Sequence, residues 1–295
     1  MQWHDCCIRN KFFGLALCGL IAVACLAVTS SAAAADRPQL TLVVMDPLAA
    51  PLACDCVEGY AQRRYERLGE YLEEKLDRPV RVVFGESLRA VVKQQTGGKA
   101  DLVIGKDSIV RYDAQQLKRR LQPLAALTGK DGSTAQHGLL VVPSGDPAAT
   151  LSDLKGYKVL FGPLESDEKH AAAVAALAKA GVSSPAADER ETREACSEGA
   201  CDVLDAGEDA KAAAVISSYA KPLLEGCGTI ERGALKVVGR TADVPFITAF
   251  ASDSVDAATA DRIRAALLEV GKNERLCTAL ETRDGFVSPP DEKKK

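Results

Sequence analysis

The chain has 295 residues, of which 47% are hydrophobic, 26% charged and 5% aromatic, a composition that excludes a disordered or fibrous polymer. Its 37 basic and 41 acidic residues give a formal net charge of −4, and no basic block is large enough to follow a phosphate backbone, which argues against a nucleic-acid partner. Three histidines leave little imidazole for metal or general-base chemistry.

The first element in chain order reads as an export signal. Arg9 and Lys11 precede an apolar run from Phe12 to Val28, then Thr29-Ser30-Ser31 and alanines up to Ala35, with Ala33 and Ala35 forming a small-residue cleavage pattern before Asp36. Cleavage near Ala35 and a periplasmic location are expected. A retained anchor and lipidation at Cys25 are the alternatives. Removing residues 1–35 leaves Cys54, Cys56, Cys196, Cys201, Cys227 and Cys277, and an even number outside the cytosol points to disulfides. Cys196 with Cys201 and Cys227 with Cys277 is one pairing among fifteen. Cys54 and Cys56 are too close for an easy mutual bond; they read as halves of separate bridges, with a redox pair or a soft metal site as alternatives.

In the mature chain a β-branched run, Leu40 to Met45, reads as a buried strand stopped by Asp46-Pro47. A helix follows over about 60–76, with Tyr65, Leu68, Tyr71, Leu72 and Leu76 on one face. Val80 to Phe84 is a second strand, Ser87 to Thr96 a helix closed by Gly97-Gly98, and Ala100 to Gly105 a third strand. This alternation implies a parallel sheet with right-handed crossovers. A second unit of the same kind has strands at Gly138 to Val142, Tyr157 to Phe161 and Ala212 to Ile216, and helices over 167–180 and 188–196. Strands at Leu235 to Val238 and Phe246 to Ala251 and helices over 256–270 and 274–281 complete the pattern. The last residues, 289–295, are a charged tail expected to be disordered.

Three stretches carry a family resemblance. Arg64 to Leu76 is similar to a tyrosine- and leucine-bearing helix after strand one; Gly98-Lys99-Ala100-Asp101-Leu102 to a "G-K-A-D" turn; Val141-Val142-Pro143 and Ser152-Asp153-Leu154-Lys155-Gly156 to the crossing strand and entry of a second lobe. Together they resemble the PhnD-like, phosphonate- and phosphite-type periplasmic substrate-binding proteins of ABC transporters. The resemblance implies a two-lobed type II periplasmic-binding-protein fold of α/β class, each lobe a mainly parallel sheet flanked by helices. The lobes fall at 36–136 and 137–229, with a return to lobe one over 230–288. It also implies a ligand held in the cleft, closure by hinge motion, and an ABC permease as partner, with the membrane reached only through that partner.

Open sheets bind ligands beyond the C-terminal ends of their strands. The candidate ligand-binding residues at those places are Asp46, Glu86, Ser87, Lys106, Asp107, Ser108, Glu165, Ser166, Asp167, Ser217, Ser218 and Tyr219. The family's "S-T-S-G" turn, which donates to phosphoryl oxygens, is replaced within Gly162 to His170 by a segment carrying Glu165, Asp167 and Glu168. These would repel a dianion, unless they only cap the helix that follows. The sharper reading is a cationic or metal-complex ligand. Cys54, Cys56, Glu58, Asp46 and His170 hold donor atoms but no zinc-module spacing, so no metal or other cofactor is assigned. No nucleophile elbow, P-loop or H-E-x-x-H motif is present, and His137 and His170 are the histidines left in the mature chain; catalysis is not expected. A second function class is an adaptor of the same fold serving a periplasmic redox enzyme of quinoprotein dehydrogenase type.

Overall fold

A computed structural model describes residues 38–53 and 61–289. The signal segment, Cys54, Cys56, Glu58 and the tail from 290 lie outside the described residues.

The first lobe opens with β1 (Leu40–Met45), α1 (Tyr65–Leu76), β2 (Val80–Phe84), α2 (Leu88–Gln94), β3 (Leu102–Lys106), α3 (Asp107–Gln116) and β4 (Leu121–Leu127). A short β5 (Ala135–Gln136) leads out to β6 (Gly138–Pro143), β7 (Lys158–Leu160), α4 (Ala171–Lys179), α5 (Cys196–Ala206), β8 (Ala212–Ser217), α6 (Ala220–Gly226) and β9 (Leu235–Arg240). The chain comes back through β10 (Val244–Pro245) to β11 (Ile247–Ser252), α7 (Ala257–Leu268), α8 (Glu274–Ala279) and β12 (Phe286–Val287).

Two sheets form the centres of the lobes. One has the order β12-β4-β11-β3-β1-β2 and the other β7-β8-β6-β9. Strand β1 is buried along its whole length, as its unbroken apolar run requires of a strand covered on both faces. Alternation decides which cluster each side chain joins. Leu40, Leu42 and Val44 pack on one face with Leu68, Leu72 and Ile263, while Val43 and Met45 pack on the other with Leu88, Val91 and Val110. The second sheet divides the same way, Leu140 and Val142 facing Leu177 and Val141 facing Val203 and Leu224.

Both sheets are mixed. β1 pairs in parallel with β2 and β3, as the crossovers required, but β11 enters antiparallel between β3 and β4. In the smaller sheet β7 and β8 are parallel, whereas β6 runs against both β8 and β9. The expectation of mainly parallel sheets therefore holds for part of each lobe, because strands that cross between lobes arrive from the opposite direction. Strand β9 pairs with β6, so the chain stays in the second lobe through Arg240, beyond the expected return at 230. The expected helix over 188–196 is a single short turn, Ala187–Glu189, and the true helix is α5. Residues 188–194 carry no apolar side chain to bury, while Ala200 and Val203 of α5 pack under β8.

Two crossing segments join the lobes. β5 and β10 pair antiparallel, Gln136 opposite Val244. Thr241 then ties the pair to β6: its N–H donates to Gly138 O at 2.9 Å, and its hydroxyl accepts from Gly138 N–H at 2.8 Å. A Cβ on Gly138 would sit 2.2 Å from the carbonyl oxygen of Glu168, so the crossing strand approaches the turn before α4 more closely than any other residue type permits.

Candidate functional site

The ends of β1 and β3, the turn before α4, the loop before α5 and the start of α6 enclose a cavity of about 390 Å³ between the lobes, within the size range of small-ligand pockets. One part of its wall is apolar: Met45, Leu48, Leu52, Ile109, Leu223 and Leu224. The charged part consists of Lys106 and Lys169 with Glu86, Glu165 and Glu194. A groove of about 800 Å³ on the first lobe is larger, but its walls include the exposed charges Arg64, Arg67, Glu70 and Glu74, and it is remote from the strand ends where this class of fold gathers ligands.

Lys106 organises the inter-lobe cavity. It is the last residue of β3 and only 3% exposed, and its ammonium reaches out of the first lobe into the second. There Nζ donates to Glu168 Oε1 at 2.5 Å and to Ser166 Oγ at 3.3 Å. Ser217, ending β8, donates its hydroxyl to the same Glu168 oxygen at 2.6 Å. Glu168 is fully buried and its other oxygen, Oε2, has no hydrogen-bond partner among the described residues. A second link joins the lobes at the rim, where the Asp167 N–H donates to Ser108 Oγ at 3.3 Å.

The structure sorts the twelve candidate residues into groups. Glu86, Lys106, Glu165, Ser166 and Tyr219 line the cavity. Ser217 lies directly behind Lys106 and Ser166, through Glu168, and Ser108 and Asp167 meet at the rim. The remaining four turn elsewhere. Asp46 is fully buried and spent inside the first lobe: Oδ2 accepts from Arg63 Nη1 at 2.8 Å and Tyr65 OH at 2.6 Å, and Oδ1 from Leu48 N–H. Ser87 donates to Asp113 Oδ2, which also accepts the Leu88 N–H of α2. Asp107 holds Arg111 one turn on. Ser218 bonds both backbone groups of His137 in the outgoing crossing segment. Each polar side chain found a partner nearer than the cavity, a choice made by tertiary geometry.

The segment from Gly162 to His170 contains three acids with three different fates. Glu165 faces the cavity, Asp167 is exposed and Glu168 is buried, so only Glu165 and the solvated Asp167 add to the field at the mouth. Lys169 turns its ammonium to the Glu194 carbonyl at 2.9 Å. His170 is an internal residue, with Nδ1 2.9 Å from Gly162 O and Nε2 3.2 Å from Arg190. Tyr219 stacks on Phe246 of the returning segment, with ring centres 5.1 Å apart, and the Arg63 guanidinium lies over Phe246 5.5 Å from its centre. Burial, then the neighbouring Cys196 and Glu168, push the Tyr219 phenol well above its ordinary pKa. Burial and then Asp46 do the same to Tyr65.

Sequence reasoning missed Glu168, Lys169, Glu194 and the leucine wall as site residues. No local signal separated Glu168 from exposed Asp167 in the same turn; its burial depends on Lys106 from the other lobe.

The four described cysteines are free, which corrects the expected pairs. Cys196 and Cys201 lie on one helix, where five residues span about 7.5 Å of rise, beyond the reach of a disulfide. Cys227 ends α6 in the second lobe and Cys277 lies on α8 in the first. No group of three or more metal-ligating side chains occurs among the described residues, and no described helix is long and apolar enough to cross a membrane.

Two α/β lobes, doubly connected and facing each other across a lined cavity, define a cleft-type ligand-binding protein of the type II periplasmic-binding-protein fold. The chain belongs to the phosphonate-type periplasmic substrate-binding protein family of ABC transporters, whose model matches residues 59–293. Among solved structures it is similar to XAC2383 from Xanthomonas citri bound to ATP, at 19% identity and a TM-score of 0.63, covering 86% of this chain and 92% of that one. It is also similar to PhnD1 from Prochlorococcus marinus in complex with methylphosphonate, at 13% identity, TM-score 0.62 and coverage of 87% and 94%. A third is PA3383 from Pseudomonas aeruginosa, a binding protein component of an ABC phosphonate transporter, at 14%, 0.63, 87% and 83%. These likenesses define the fold. Comparison with curated proteins returns no match.

Proposed function

We propose that the protein, exported and cleaved near Ala35, holds a small organic cation with an apolar body in its inter-lobe cavity and presents it to an ABC permease. The observation that carries this reading is the state of Lys106. Its charge is spent on Glu168 at 2.5 Å, so it offers an incoming oxyanion no net attraction. Glu86, Glu165 and Glu194 then face the cavity against Lys169 alone, and the resulting field favours a cation. The leucine wall would desolvate an apolar body.

The test is calorimetric titration of the mature protein with a panel of aliphatic and aromatic amines, with methylphosphonate and inorganic phosphate in parallel. Amine binding that weakens with salt, without phosphonate binding, supports the reading. Tight methylphosphonate binding would falsify it.

The adaptor reading is favoured by one observation, that Lys106–Glu168 and Ser108–Asp167 join the lobes through the protein's own groups. A fixed scaffold for a periplasmic redox partner would have such joints. Silence across the whole panel, together with a stable complex with a periplasmic dehydrogenase, would select it.

A further inference from the structure

We propose that Glu168 is a tethered anion occupying an oxyanion subsite of the cleft, and that this one side chain sets the specificity of the protein against phosphoryl and other oxyanion ligands. The inference rests on the inter-lobe cavity being the ligand site.

Three polar groups from three parts of the fold meet there: Lys106 donates to Glu168 Oε1 and to Ser166 Oγ, and Ser217 donates to Glu168 Oε1. Lys106 comes from the end of β3, Ser166 from the turn before α4, and Ser217 from the end of β8. An ammonium and two hydroxyls from facing lobes are a donor set suited to any oxyanion that bridges a closed cleft. Here both Lys106 and Ser217 converge on the single atom Oε1, while Oε2 is buried without a partner among the described residues. A buried pair fitted to a carboxylate satisfies both oxygens, so this donor set is richer in charge than in fit to Glu168. Lys106 and Ser166 also line the cavity, whereas Glu168 does not. Lys106 and Ser166 therefore lie between the cavity and the carboxylate, with Ser217 behind it, and the site opens to a free anion once the carboxylate is gone. The crossing strand holds the tether in place, since Gly138 abuts the Glu168 carbonyl.

The test is Glu168→Ser in the mature chain, probed with formate, inorganic phosphate and methylphosphonate by calorimetry and thermal melting against matched chloride. The expected result is binding of at least one oxyanion about tenfold or more tighter than by the wild type, accompanied by a raised melting midpoint and abolished by adding Lys106→Met. Equal response of wild type and variant, or no response of a folded variant, overturns the inference. Should Glu168→Ser not fold, Glu168→Gln carries the test. It keeps the shape and removes only the charge, so phosphate must raise its midpoint more than that of the wild type, and an equal rise overturns the inference. The two readings fail separately: a wild type that binds no amine removes the cationic ligand, and an anion-insensitive Glu168 variant removes the tethered anion.

Discussion

Lys106 and Glu168 are 62 residues apart in the chain and 2.5 Å apart in the fold, on opposite lobes, exposed to 3% and 0%. Removing one partner of such a pair leaves a buried charge without compensation. Lys106→Ala is expected to cost about 3–5 kcal/mol, while the double replacement Lys106→Met with Glu168→Leu recovers most of it. A double-mutant cycle by urea unfolding checks this. Additive losses would show that the pair contributes nothing across the cleft.

Asp46 makes a contrasting case. It neutralises Arg63 and accepts from Tyr65 inside the first lobe, and it does not line the cavity. Asp46→Asn is expected to destabilise the fold by about 3–5 kcal/mol and to leave the affinity of the folded protein for its ligand unchanged. Loss of affinity in a protein of undiminished stability would return Asp46 to the binding site.

Glu165 and Glu86 face the cavity and Asp167 faces solvent. Neutralising half-buried Glu165 to Gln should weaken binding of an amine by about three- to tenfold, and Glu86→Gln or Asp167→Asn by less, because both are exposed and water screens an exposed charge. Titrations at two salt concentrations read the difference. A stronger effect at Asp167 than at Glu165 would place the ligand at the rim.

Tyr65 and Tyr219 have phenol pKa values raised well above 10.0, chiefly by burial. A group whose folded pKa is raised contributes stability that is complete below its unfolded value and lost as the pH rises toward the folded one. Ultraviolet titration should therefore show Tyr65 and Tyr219 ionising only with alkaline unfolding, after Tyr71 and Tyr157, whose pKa values burial also raises from 10.0 but by less. At the acid end the sign reverses. Asp256 accepts from the Thr259 hydroxyl and N–H at the start of α7, and its pKa is lowered from 3.8 by those bonds. Its contribution is present above 3.8 and is lost as the pH falls through the lowered value.

Of the four described thiols, Cys227 is exposed and the others are half-buried. Burial raises the thiol pKa of Cys201 and Cys277, and the thiolate is the reactive form. Alkylation of the folded protein should label Cys227 first and Cys201 and Cys277 slowly. Mapping by peptide mass spectrometry decides it, and a recovered Cys196–Cys201 disulfide would contradict the helical geometry of α5.

Much of the layer pattern is legible in the residues alone. β1 is a continuous apolar run and α1 repeats its apolar face at helical spacing, so local chemistry suffices for both. The stretch from Asp107 to Gln136 gave no comparable signal, although it contains α3, β4 and β5. Strand β4 contains Pro123 and two central alanines, weak strand formers that are held in place by β11 on one side and β12 on the other. The charged stretch 188–194 had helical composition but no apolar side chain to bury.

By itself the sequence determined the α/β class, two successive α/β units and the strand ends where polar residues gather, because hydrophobic periodicity and turn chemistry act over a few residues; that the units are two lobes around a cleft came from the family resemblance. It also placed Lys106, Ser166 and Ser217 at those ends. Only the tertiary structure decided which polar groups face the cavity and which are consumed by neighbours. A buried charge is tolerated only with a partner at contact distance, and the partners here, Arg63 for Asp46 and Glu168 for Lys106, come from segments 17 and 62 residues away. That separation is bridged by the packing of whole lobes, which no local reading of residues contains.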